Sequence, residues 1–264
     1  MDQERLHQED LQRIRGLRLI DDDFLNACFD GYIEGTELLL RIILGRDDIR
    51  VKQVQTQRQM KNLVGRDVRL DIDAVDSEGR ELDIEVQRAD KGADRRRARY
   101  YSSILDAHLL KPGDTFDQLS ETYVIFITEN DVLGAGLPIY TVERQIANLG
   151  IPFDDGEHIL YVNGAARNDN TELGKLMQDF FCTDPDDMHF RELAEKARYF
   201  KQDEKGVATM CKAMEDMRNE AEKRKSVQIA LRMLVAQKYS LEEIADLTEL
   251  TLDEVKALAS EKTA

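Results

Sequence analysis

The sequence predicts an α/β core in the order αβββαβ, a sheet with helices against it, followed by an all-helical tail. Three observations carry this reading. Residues 67–87 contain two stretches in which apolar and mostly acidic residues alternate around one glycine, the pattern of a strand pair. "TYVIFIT" (122–128) is a continuous apolar run of strand length, as in a strand buried on both faces. From residue 171 onward the pattern turns helical and highly charged, which sets a boundary near "NGAARNDN".

The elements follow in order. Residues 1–17 are a polar lead-in. "DDDFLNACF" (21–29) and "GTELLLRIIL" (35–44) space their apolar residues helically, with acidic residues or Thr36 placed for N-capping. "IRVKQVQTQ" (49–57) reads as a strand, as do 67–75 and 81–87. "RRRARYYSSILDAHLL" (95–110) is a helix that "KPGD" ends, and "HILYVNG" (158–164) is a last strand. The core spans 18–168 and the helical region 169–264.

Composition narrows the chemistry. With 264 residues, 42% hydrophobic and 34% charged, the chain can bury a core and is not generally disordered. "MDQERLHQED" is too charged for a signal peptide, and "ELLLRIILG" is too short to span a bilayer, so a soluble, cytosolic protein with no membrane partner is expected. Cys28, Cys182 and Cys211 form no CxxC, and His7, His108, His158 and His189 are scattered. Any bound metal must therefore be held by carboxylates, which favours magnesium or manganese over zinc. The net charge of −16 opposes casual nucleic-acid binding but leaves room for a local basic patch.

The hairpin register can be derived. Alternation puts Val68, Leu70, Ile72 and Ala74 on one face, and Asp67, Arg69, Asp71 and Asp73 on the other. In the second strand Asp83, Glu85 and Gln87 share the polar face. "DSEG" suits a type I turn, with Gly79 in the left-handed conformation that closes a three-residue loop. Asp71 then falls opposite Glu85 and Asp73 opposite Asp83, with Cβ atoms about 4.5–5.5 Å apart. Opposed carboxylates repel, so this face is either a cation site or a solvated surface.

These residues resemble a known pattern. Asp71 followed by "Ile84-Glu85-Val86-Gln87" is similar to the D…(D/E)xK signature of the PD-(D/E)XK nuclease superfamily. "RARYYSSIL", "YVIFITENDVLG" and "ILYVNG" extend the likeness to the PD-(D/E)XK family transposases, also called recombination-promoting nucleases, over residues 20–165. The resemblance implies a restriction-endonuclease-like αβββαβ core and Mg²⁺- or Mn²⁺-dependent cleavage of DNA. It implies Asp71, Glu85 and the carbonyl of Val86 as metal ligands. It implies Gln87 where the superfamily usually has lysine, and an acid on the first core helix, Glu37, with Glu34 behind it. Gln87 is neutral and can only hydrogen-bond. A catalytically weak or inactive fold that binds protein or nucleic acid is therefore the alternative.

Directly after Gln87, residues 88–99 hold Arg88, Lys91, Arg95, Arg96, Arg97 and Arg99 against Asp90 and Asp94, a local +4. With Tyr101 one helical turn beyond Arg97, this patch is the expected DNA contact. In the tail, 239–262 has the outline of a helix-turn-helix with capping residues Ser240, Glu243 and Thr251. Its seven acids against two lysines suit packing or protein contact rather than base reading. The stripe Met210, Met214, Met217, Leu231 and Leu234 suits core packing or a homo-oligomer through the C-terminal helices.

Overall fold

Helices and strands form where apolar spacing and capping place them. The computed structural model describes residues 2–62, 65–88, 90–168 and 170–261, with the backbone alone at 2, 3, 90, 91 and 261. The polar lead-in is helix α1 (Asp2–Gly16). Helices α2 (Asp22–Phe29) and α3 (Ile33–Leu44) each bury one face, Phe24, Leu25, Cys28 and Phe29 on the first, Leu39, Leu40 and Ile43 on the second. Strands β1 (Val51–Met60), β2 (Val68–Asp76) and β3 (Glu81–Gln87) follow. A 3-10 turn at Asp90–Ala93 leads into α4 (Arg95–Leu109), which Asp94 caps through the Arg96 N–H. Then come β4 (Thr122–Thr128), β5 (Ile139–Val142), β6 (Gln145–Ile146), β7 (Ile151–Pro152) and β8 (Glu157–Asn163). The remaining helices are α5 (Glu172–Phe181), α6 (Arg191–Gln202), α7 (Glu204–Ala236), α8 (Leu241–Thr248) and α9 (Leu252–Glu261).

The αβββαβ order is present in a mixed six-stranded sheet ordered β1-β2-β3-β4-β8-β5. Short turns make β1, β2 and β3 antiparallel. The α4 crossover makes β4 parallel to β3, and β8 is parallel to β4 in turn. All seven residues of β4 are buried, as its apolar run requires. Tyr101, Ile104 and Leu105 of α4 pack with Val124, Phe126 and Tyr161 in one cluster, which fixes α4 over the sheet. The sequence reading did not anticipate β5, β6 and β7, which are short and largely exposed. Around them Leu137, Leu149, Ile151 and Phe153 are open to solvent, and β5 is an edge of the sheet.

The hairpin keeps the derived register, with Ile72 across from Ile84, Asp73 from Asp83 and Ala74 from Leu82. The loop is Ser77, Glu78 and Gly79. The Gly79 N–H donates to the Asp76 carbonyl, and Gly79 sits at φ +83°. Asp76 is fully buried. Its carboxylate accepts from the N–H groups of Glu78 and Arg80 at 2.9 and 3.0 Å and from the Arg80 guanidinium at 2.6 Å.

The chain divides into two compact units, one of Gln12–Gly206 and one of Met1–Leu11 with Val207–Ala264. Helices α5 and α6 thus belong with the sheet, beyond the expected boundary at 168. The reason is visible in the packing: Ile20 donates to the Phe180 carbonyl, and the Phe29 and Phe180 rings meet at 6.5 Å. In the second unit Arg218 forks onto Asp10 at 2.6 and 2.9 Å. The helix-turn-helix outline is two capped helices, α8 and α9, packed on α7 through Ala230, Ile244, Leu250 and Val255. Leu231 is exposed, and Ala230 faces that cluster in its place.

Asp76→Ala takes from the buried Arg80 guanidinium its buried partner and leaves it only the exposed Glu78 carboxylate, at 3.0 Å. Urea unfolding is expected to register a loss of about 3–5 kcal/mol, the cost of breaking a buried pair by removing one partner.

Candidate active site

Strands β2 and β3 stop pairing through their backbones at Asp71 and Glu85, and two carboxylates take over. The Asp71 N–H donates to Glu85 Oε1, and the Val86 N–H donates to Asp71 Oδ2, both at 3.0 Å. On the other side the β1 register sets Gln57 across from Asp71, and Gln57 adopts a left-handed φ of +54°. A non-glycine residue in that region is a local strain of the kind held where surrounding structure demands it.

The acidic face of the hairpin is buried, not solvated. Asp83 and Glu85 are wholly buried, Asp73 is 2% exposed, and Asp71 is half-buried. Arg58 of β1 reaches Asp73 at 2.6 Å and Glu81 at 3.6 Å. Among the described residues neither oxygen of Asp83 has a donor. Burial pushes the Asp83 carboxyl well above the usual range, and Glu85, Asp71 and Asp73 push it further. Burial likewise pushes Glu85 up to about 8 and Asp71 up to about 6.

Arg97, projecting from α4, meets this corner. Its guanidinium donates to Glu85 Oε2 at 2.6 Å, to the Gln87 amide oxygen at 3.1 Å, to the Gly92 carbonyl at 3.0 Å and to the Tyr101 hydroxyl at 2.8 Å. It also lies 4.8 Å from the centre of the Tyr101 ring. A Cβ at Gly92 would collide with the Gln87 amide, so glycine there lets the two segments close on each other. An open cavity of about 760 Å³ lies above, with Asp22, Asp71, Gln87, Arg97 and Tyr101 among its lining.

Of the residues expected from sequence, Asp71, Glu85, Val86, Gln87, Arg97 and Tyr101 come together here. Arg96 lines the cavity. Arg95 and Arg99 are exposed and do not line it. Arg88 is engaged elsewhere, by Asp21 at 2.9 Å and Glu129 at 3.6 Å. The side chain of Lys91 lies outside the described residues. Glu37 is not brought to the corner. Its carboxylate pairs with Arg41 and accepts from the Val51 N–H, and Val51 sits across from Asp76. That is five residues along β2 from Asp71, about 16 Å. The acid near Asp71 is instead Asp22, on the first turn of α2; its charge raises the Asp71 pKa, and it lines the cavity. Arg66 and Arg69 also line it and were missed. Arg69 was legible, since it shares a strand face with Asp71.

These donors fit a divalent cation. Among the described residues no three acidic, histidine or cysteine side chains converge into a ready-made cage. Magnesium does not require one, because it takes one or two carboxylates and completes its shell with water and substrate oxygens. Asp71 lines the cavity and, among the described residues, keeps one oxygen with no donor, and the buried acids beside it leave the corner short of positive charge.

Asp83 titrates with a definite sign. Its folded pKa is raised, so folding takes up a proton at pH values above the ordinary one near 3.8, and stability falls as pH rises from there through the raised value. Asp83→Asn, uncharged at every pH, is expected to melt several degrees above wild type at pH 8 and close to it at pH 4. Thermal scans of the two proteins across this range test it.

No curated protein and no solved structure matches the chain. One family model does, over residues 23–244, which takes in the sheet, its helices and most of the tail. An αβββαβ core with an Asp…Glu-x-Gln hairpin, matched over most of its length, places the chain in the family described as PD-(D/E)XK nuclease family transposase.

Proposed function

We propose that this chain is a divalent-metal-dependent DNA endonuclease that hydrolyses phosphodiester bonds during rearrangement of DNA. Membership of a nuclease family supports nuclease chemistry, and such nucleases generally use divalent metals. The observation that carries the reading is the meeting of Asp71 and Glu85 where the hairpin opens, under a cavity rimmed by arginines.

In this reading Asp71, Glu85 and the Val86 carbonyl hold Mg²⁺ or Mn²⁺. When bound, the ion supplies an activated water and neutralises charge on the phosphate. The rest falls to the chain. Gln87, whose amide oxygen is held by Arg97, turns its NH₂ donors to water or phosphate. Arg97 contributes the fixed positive charge that neutral Gln87 lacks, close to the scissile group. Asp22 stands in the position proposed from sequence for Glu37. Water adds to phosphorus, one P–O ester bond breaks, and a phosphate monoester and a hydroxyl remain. No described helix is long and apolar enough to cross a membrane.

One observation favours the second reading, a catalytically weak or inactive fold that binds partners. Both oxygens of Glu85 are engaged, one by Arg97, so a cation must share or displace that guanidinium.

Plasmid nicking with Mg²⁺ or Mn²⁺ separates the two. Cleavage is expected in wild type and lost to background in Asp71→Ala and Glu85→Ala. Activity that survives both substitutions overturns the site, and inert wild type on supercoiled, linear and single-stranded DNA moves the binding reading ahead. Gln87→Lys is expected to lower nicking, on the order of 10²-fold as for loss of one oriented donor, because it sets a second cation against Arg97. Combining it with Arg97→Gln should recover part of the rate in the same assay.

A further inference from the structure

We infer that Arg66, Arg69 and Arg96 form a subsite for the phosphates of a DNA strand flanking the one at Asp71. The inference rests on the nuclease reading for its substrate and adds three residues to it. They come from three segments: the loop before β2, β2 itself and the first turn of α4. All three line the 760 Å³ cavity, and all three are exposed.

Their side chains are uncommitted. Arg58, Arg80, Arg88 and Arg97 each sit on a carboxylate within 4 Å. Arg66, Arg69 and Arg96 have no such partner among the described residues, although the chain holds 53 acids. The neighbouring Asp67 is already occupied. It accepts from the Asn62 N–H at 2.8 Å and from the Gln59 amide at 3.2 Å.

Arg66 is also held in place. The Tyr100 hydroxyl donates to the Arg66 carbonyl at 2.5 Å and accepts from the Asn62 amide at 3.0 Å, which ties the loop to α4. Arg69 and Asp71 lie two residues apart on one face of β2, about 7 Å along the strand. The cavity lining therefore joins two acids, Asp22 and Asp71, to these exposed arginines. Acids that accept a cation and arginines that accept anions together fit a chain of phosphodiesters rather than one isolated anion.

The test measures binding without cleavage. The full chain is titrated with a fluorescein-labelled DNA duplex in Ca²⁺ or EDTA, and anisotropy gives affinity from low to moderate NaCl. Each phosphate contact contributes about 0.9 to the slope of log K against log salt. Arg66→Gln/Arg69→Gln/Arg96→Gln is expected to flatten the slope by about 2 to 3. Arg95→Gln/Arg99→Gln should leave it unchanged, with melting temperatures as in wild type for both. An unchanged slope in the triple variant overturns the subsite even if plasmid is nicked, and the nuclease reading then stands without it. A flattened slope with no nicking keeps the subsite and sinks the catalytic reading. A wild type that does not bind duplex at low salt overturns the subsite and DNA as substrate together.

Discussion

Packing six carboxylates on one hairpin is the constraint around which this fold is arranged. Asp71, Asp73, Asp76, Glu81, Asp83 and Glu85 are buried or nearly so, and an uncompensated buried charge is not tolerated. They are answered from several sides. Strand β1 brings Arg58 to Asp73 and Glu81, the turn brings Arg80 to Asp76, and α4 brings Arg97 to Glu85. Asp71 takes the Val86 N–H, and burial among neighbouring acids raises the Asp83 pKa and so favours its neutral form. The placement of β1 and α4 about the hairpin is thus an electrostatic matter as much as one of apolar packing.

The hairpin was legible because two local rules agree. Period-two alternation assigns faces, and the three-residue turn with its left-handed Gly79 assigns pairing, so Asp73 against Asp83 follows from sequence. Which acid on which helix approaches Asp71 does not follow from local rules. Glu37 sits in a helix of the right kind but at the wrong end of the strands, while Asp22 reads as an ordinary first-turn acid. The basic run 88–99 is similar. Proximity in sequence groups its arginines, but helical geometry brings Arg96 and Arg97 to the cavity and leaves Arg95 and Arg99, four apart on one face, outside it. Arg66 and Arg69, from outside that run, arrive at the cavity as well.

Gln87 and Arg97 are best understood as a pair. In sequence Gln87 is a departure that weakens the nuclease signature. In the fold its amide oxygen accepts from Arg97, whose other donors reach Glu85 and Tyr101. A lysine at 87 would face a guanidinium already in place, so the neutral residue is the compatible one. The positive charge at this corner thus comes from Arg97, ten residues later, on a helix instead of the strand.

The segment after β4 carries a different consequence. Edge strand β5 and the exposed Leu149, Ile151 and Phe153 are features of the kind that template association, an open strand edge and solvent-facing apolar side chains. A net charge of −16 opposes such contacts at a distance, but that repulsion reaches only about 8 Å at physiological ionic strength. Salt therefore weighs on one side of that balance alone, since it screens the repulsion and leaves the apolar side chains as they are.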